Sequence, residues 1–245
     1  SQLQTLSNND ALKAARLELE NKINQTVQTD GMTQQSVDAY QNAKREAQNE
    51  SNTALALINN GDATEQQIST ETDRVNQQTT NLTQAINGLT VNKEPLETAK
   101  TALQNNIDQV PSTDGMTQQS VANYNQKLQI AKNEINTINN VLANNPDVNA
   151  IRTNKAEAER ISNDLTQAKN NLQVDTQPLE KIKRQLQDEI DQGTNTDGMT
   201  QDSVDNYNDS LSAAIIEKGK VNKLLKRNPT VAQVKESVAN AQQVI

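Results

Sequence analysis

Thr29-Asp30-Gly31-Met32-Thr33-Gln34 recurs as Thr113-Asp114-Gly115-Met116-Thr117-Gln118 and again as Thr196-Asp197-Gly198-Met199-Thr200-Gln201. Each copy is followed by a Ser-Val pair and then a Tyr. Gly31, Gly115 and Gly198 stand 84 and 83 residues apart, and Tyr40, Tyr124 and Tyr207 keep both spacings, so the register extends beyond the motif. A chain with a fixed period of this size folds as an array of like units. The period divides it into residues 1–90, 91–173 and 174–245, each large enough for a core of its own.

Apolar spacing within the period is helical. Val121, Tyr124, Leu128, Ala131, Ile135, Ile138 and Leu142 alternate by three and four residues, which draws one apolar stripe along a helix. Val204, Tyr207, Leu211, Ala214, Val221 and Leu225 repeat it. Val37, Tyr40, Ala47, Ala54 and Ile58 do so with smaller or polar residues between, which predicts a looser core in the first unit. A preceding helix reads Leu96, Ala99, Leu103, Ile107 and Val110; a following one reads Ile151, Ala158, Leu165, Ala168 and Leu172. Asn145-Pro146 and Asn228-Pro229 are expected to put Pro at a helix start, and Gly61 to supply positive φ. Short connections make consecutive helices antiparallel. The expected fold is all-α: tandem three-helix bundles stacked end to end into an elongated, spectrin-like rod.

At the unit boundaries Leu82, Leu89, Leu96 and Leu103 fall seven apart, as do Leu165, Leu172, Leu179 and Leu186. A helix shared by neighbouring units fits that phase. An interrupted junction fits it too, with Asn92 and Asp175 as N-caps and Pro95 and Pro178 in the first turn. The second is favoured because Pro deep in a helix costs about 3 kcal/mol.

Composition narrows the function. Only 33% of residues are hydrophobic, Phe and Trp are absent, and Asn plus Gln make up about a quarter of the chain, so each core is thin and aliphatic. The net charge of -8 leans toward disorder, which the regular apolar spacing opposes. With neither Cys nor His, disulfides, thiol nucleophiles and the commonest general base and metal ligand are missing. No catalytic, cofactor-binding or metal site is expected, and no enzyme. The acidic balance, 31 Asp and Glu against 23 Lys and Arg, opposes nucleic-acid binding. No apolar run approaches a membrane span, and the chain reads as a segment of a longer, exported protein.

The repeated motif reads best as a structural turn. Gly31 permits positive φ, Thr33 caps the next helix and Met32 staples onto Val37; Asp30 lacks the further carboxylates of a cation loop. Tyr40, Tyr124 and Tyr207, the only aromatics, lie on the core stripe. The Asn-, Gln- and Thr-rich faces, the acidic group Asp188, Glu189 and Asp191, and the basic group Lys223, Lys226 and Arg227 read as solvated surface. No ligand-contacting residue is legible.

The period, the motif from Thr113 to Tyr124 and the junction phrase Val174-Asp175-Thr176-Gln177-Pro178-Leu179-Glu180 together resemble FIVAR-type repeats of giant staphylococcal extracellular matrix-binding proteins. The resemblance covers essentially the whole chain. It implies a long, fibrous protein of helical bundles on a bacterial surface, associated with fibronectin binding, attachment to host matrix and biofilm growth. Related repeats carry an extra albumin-binding-type module for which this period leaves no room. The expectation is therefore a monomeric rod that binds a host matrix protein, fibronectin, through many weak contacts, without a small-molecule substrate. A passive, wall-spanning stalk is the alternative.

Overall fold

The computed structural model describes residues 2–245, with side chains described from Asn9 onward. The described residues form nine helices: α1 Gln2–Ile23, α2 Gln34–Ile58, α3 Glu65–Asn87, α4 Glu94–Asp108, α5 Gln118–Ala143, α6 Val148–Asn170, α7 Gln177–Gln192, α8 Gln201–Leu225 and α9 Val231–Gln242. They fall into two compact units. One comprises residues 1–98 and 138–155, the other residues 99–137 and 156–245.

In the first unit α1, α2 and α3 pack in all three pairings. Their shared core takes Leu12, Leu19 and Ile23 from α1, Tyr40, Ala47 and Ala54 from α2, and Ile68, Val75 and Leu82 from α3. The seven-residue step from Tyr40 to Ala47 to Ala54 keeps one line of α2 inward, and small residues there let the neighbouring helices approach. Tyr40, Ala47 and Ala54 are all buried, so the looser core expected of this copy does not show in its burial. Ser51, also buried, fits because its hydroxyl donates to Glu20 while Arg16 Nε donates to the Ser51 carbonyl at 3.0 Å.

In the second unit α7, α8 and α9 likewise pack in all three pairings, around Leu179, Ile182, Leu186, Ala214, Val221, Val234 and Ala241. Ala99, Leu103, Ile107, Tyr124, Ala131, Ala158, Ile161, Leu165 and Ala168 are buried in the same unit. Asn106 and Lys169 tie α4 to α6: the Asn106 amide donates to the Ser162 carbonyl at 2.9 Å, and the Lys169 ammonium donates to the carbonyls of Asn106 and Gln109. The carbonyls at the end of α4, which lack intrahelical partners, are satisfied in this way. Burial lowers the Lys169 pKa.

Several local expectations are corrected. The deepest line of α5 is Tyr124, Ala131 and Ile138, while Val121, Leu128, Ile135 and Leu142 sit half-buried on its shoulders. Val110 lies past the end of α4 and is 74% exposed. Pro146 and Pro229 do not open α6 and α9; each precedes the capping residue, and Asn145 and Asn228 before them take up the positive φ of 49° and 50°. Gly61 has no positive φ.

The junction helices are interrupted. Residues 88–93 and 171–176 are non-helical, so the Pro-containing segments begin new helices. Asn92 and Asp175 sit one residue outside the cap positions assigned to them, where their side chains accept from the backbone N–H of Glu94 and Gln177 at 3.1 and 3.0 Å. The caps themselves are Lys93 and Thr176, whose carbonyls accept from Glu97 and Glu180. No helix among the described residues is long and apolar enough to cross a membrane.

Candidate functional site

The turn motif is built the same way wherever it occurs. Gly31, Gly115 and Gly198 have φ of 82°, 76° and 78°, in the left-handed region that favours glycine. In each copy the next Thr caps a helix: Thr33, Thr117 and Thr200 accept through Oγ1 from the backbone N–H of Ser36, Ser120 and Ser203. In the first two copies the Ser of the Ser-Val pair adds a second link. Ser36 Oγ accepts from Thr90 N and Ser120 Oγ from Gln173 N, both at 3.1 Å.

Those links pull the interrupted junction onto the turn. Met32 forms an antiparallel bridge with Val91, and Met116 with Val174. In the first, Thr33 N donates to Thr90 O at 2.7 Å and Asn92 N to Gly31 O at 2.9 Å; in the second, Thr117 N donates to Gln173 O and Asp175 N to Gly115 O. The Met backbone therefore has a partner that sequence reasoning, which gave Met32 only a staple contact, did not identify. The repeated phrases around Val91 and Val174 were its only trace in the sequence.

The outer face of the turn touches a distant helix. A Cβ built on Gly31 would lie 2.4 Å from Val148 Cγ1, and one on Gly115 would lie 2.4 Å from Val231 Cγ1. Beside these contacts Asp30 meets Arg152 at 2.7 Å and Asp114 meets Lys235 at 2.6 Å. The hydrogen bond from Lys235 and its charge lower the Asp114 pKa. Gly115→Val is expected to cost about 2 kcal/mol from the left-handed backbone alone, with the overlap on Val231 added. Chemical denaturation of the variant checks this; an unchanged midpoint would contradict it.

Of the three tyrosines, Tyr40 and Tyr124 are core residues at 6% and 2% exposure, and Tyr207 is half-buried. The Tyr124 hydroxyl has no hydrogen-bond partner, and burial raises its pKa. Asp188, Glu189, Asp191, Lys223, Lys226 and Arg227 are exposed.

A recurrent buried acid was missed by sequence reasoning. Glu50, Glu134 and Glu217 keep the 84- and 83-residue spacings, three residues after the core alanine of α2, α5 and α8. Glu134 and Glu217 are 8% exposed, and Glu50 is half-buried with one carboxylate oxygen enclosed and unpartnered. Burial and the charge of Glu157 raise the Glu134 pKa, with Arg160 opposing. In the first copy Glu71 of α3 is 3% exposed, and its pKa is raised to about 7 by burial, then by a hydrogen bond and charge repulsion from Glu50, against the pull of Arg74. The signal was the persistence of Glu at one register position beside apolar neighbours. A shallow groove between α2 and α3, lined by Thr53, Leu57, Thr64, Thr70 and Arg74, opens onto Glu71. No group of three or more metal-ligating side chains occurs among the described residues.

Comparison with known proteins follows the same register. The FIVAR domain model matches residues 15–90, 99–173 and 182–245. Over 243 residues, 99% of this chain, the sequence is 49% identical to extracellular matrix-binding protein EbhB of Staphylococcus aureus strain Newman and to extracellular matrix-binding protein ebh of strain NCTC 8325. The chain spans 4% and 2% of those two relatives. No solved structure matches. With the turn, the core line and the junction recurring in step with three family matches, the chain belongs to the FIVAR domain family.

Proposed function

We propose that this chain is a non-enzymatic segment of a bacterial surface adhesin that binds host extracellular matrix. Fibronectin is the ligand we infer, held by weak contacts multiplied along an elongated rod of three bundled units, residues 1–90, 91–173 and 174–245. Attachment and biofilm growth would follow from that activity. The observation that carries the reading is 49% identity, sustained over 99% of the chain, to proteins named for matrix binding.

The surface is consistent with it. Helix faces away from the cores are lined with exposed Asn, Gln and Thr, such as Asn76, Gln77 and Thr80 on α3 and Asn125, Gln126 and Gln129 on α5. Such side chains donate and accept hydrogen bonds without the desolvation cost of full charges. Linked copies raise the local concentration of further sites, so each contact need only be weak. The rod is proposed to act as a monomer, outside the cell, as part of a longer surface-attached protein.

The test is binding of the full chain to immobilised fibronectin at physiological salt, with an unrelated folded three-helix bundle as control. Saturable binding above the control is expected. Equal signals would favour a passive stalk, with adhesion residing in other parts of the parent protein.

A further inference from the structure

The turn motif does more than end one helix and cap the next, because two of its three copies are covered by the same kind of partner. Gly31 faces Val148, the first residue of α6, and Gly115 faces Val231, the first residue of α9. Arg152 and Lys235 lie four residues on, one helical turn along the same face, and pair with Asp30 and Asp114. The partners are about 117 residues apart in sequence, more than one period. A turn in one repeat therefore meets the third helix of the next.

We propose that the Thr-Asp-Gly-Met-Thr turn is the coupling surface of the array. Its partner is the N-terminal end of a following repeat's third helix, recognised by a compact β-branched residue at the first helical position and a Lys or Arg four residues later. Glycine supplies both the left-handed turn and the space into which the valine methyls fit, since a Cβ would overlap them. The preceding Asp supplies the charge that fixes rotation about that contact. The pair is exposed on both sides, so packing rather than the ion pair contributes most of the affinity. A small apolar hollow bordered by Gly115, Pro178, Val234 and Val238 continues the contact on the α9 side.

Selectivity follows from the same two positions. The third helix of the first repeat, α3, begins with Glu65 and carries Ser69 four residues on. A carboxylate at the first position would face the Asp of an incoming turn, so α3 is not an accepting helix. The third turn keeps the left-handed glycine, Gly198 at φ 78°, and the cap from Thr200, with Met199 55% exposed.

The coupling is tested in the full chain by spin labels on Cys placed at Asn125 in α5 and Glu236 in α9, both exposed, in a protein with no Cys of its own. Pulsed dipolar spectroscopy should give one narrow distance. Val231→Glu is expected to broaden that distribution at least twofold with helicity retained, because Val231 lies outside the α7–α9 core and an acid suits the first helical turn. Lys235→Asp, which sets two acids together, should broaden it in the same direction. Ala232→Glu, exposed on the neighbouring face, should leave it unchanged. A distribution as narrow in Val231→Glu as in the parent, or equal broadening by Ala232→Glu, would overturn the proposal.

Discussion

Ala131→Asp is expected to destabilise the second repeat by about 4 kcal/mol or more, enough to unfold most small helical domains. Ala131 is fully buried midway along α5, between Tyr124 and Ile138 on the same inward line. A short carboxylate there cannot reach water and must either ionise in an apolar layer or fold protonated. Leu128→Asp should cost less, roughly 1–2 kcal/mol, because Leu128 is half-buried on the helix shoulder and an acid there can turn outward. Gln126→Asp, on the exposed face, should stay within about 0.5 kcal/mol of the parent. Urea titration followed by circular dichroism ranks the three. Equal midpoints for Ala131→Asp and Gln126→Asp would contradict the assigned core line.

The second large effect depends on pH. Glu71 has its pKa raised from 4.5 to about 7 in the folded chain, so the native state holds the proton more tightly than the unfolded state does. Stability therefore rises as pH falls from above 7 toward 4.5, and levels off below the unfolded value. The penalty for ionising the buried group is fully present only above about pH 7. Glu71→Gln removes the charge while keeping polar atoms near Glu50. At pH 8 it is expected to raise the melting temperature of the α1–α3 bundle by at least about 5 °C, and at pH 4.5 to change it little. Melting curves from pH 4.5 to 8 test both the sign and the position of the window. Stability that falls on acidification across this range in the parent would contradict the assignment.

How much of this was legible in the sequence depends on which interactions were local. The helices were readable because Tyr124, Ala131 and Ile138, and their counterparts one period away, recur at helical spacing whatever surrounds them. Thr33 and Gly31 were readable because a cap and a left-handed glycine are set by the residues beside them. Depth was harder: Leu128 and Ala131 share one stripe, and only the approach of neighbouring helices decides that the smaller residue lies deeper. The placement of Asn92 and Asp175 slipped by one residue because an Asx side chain can accept at the cap or just before it. The bridge from Met32 to Val91 and the contact from Gly31 to Val148 join residues 59 and 117 positions apart, and no local pattern encodes such pairings. Glu134 was overlooked for a different reason, since a charged residue next to an apolar stripe ordinarily belongs to the solvated side.

A surface that contacts matrix has no comparable signature. Exposed Asn, Gln and Thr are chemically alike on every outward face, and the shallow groove between α2 and α3 is lined by the same residue types. What the period does imply is multiplicity, since a patch built from the repeated residues recurs at fixed intervals. Dissociation kinetics are sensitive to that property in a way that equilibrium binding of one chain is not.

The most direct measurement compares dissociation from immobilised fibronectin for chains of one, two and three repeats, each first shown to be helical by circular dichroism. Dissociation is expected to slow at least about tenfold with each added repeat at high fibronectin density, and the differences to shrink when the surface is sparse. Equal dissociation rates for all three lengths at high density would contradict a multivalent matrix-binding array.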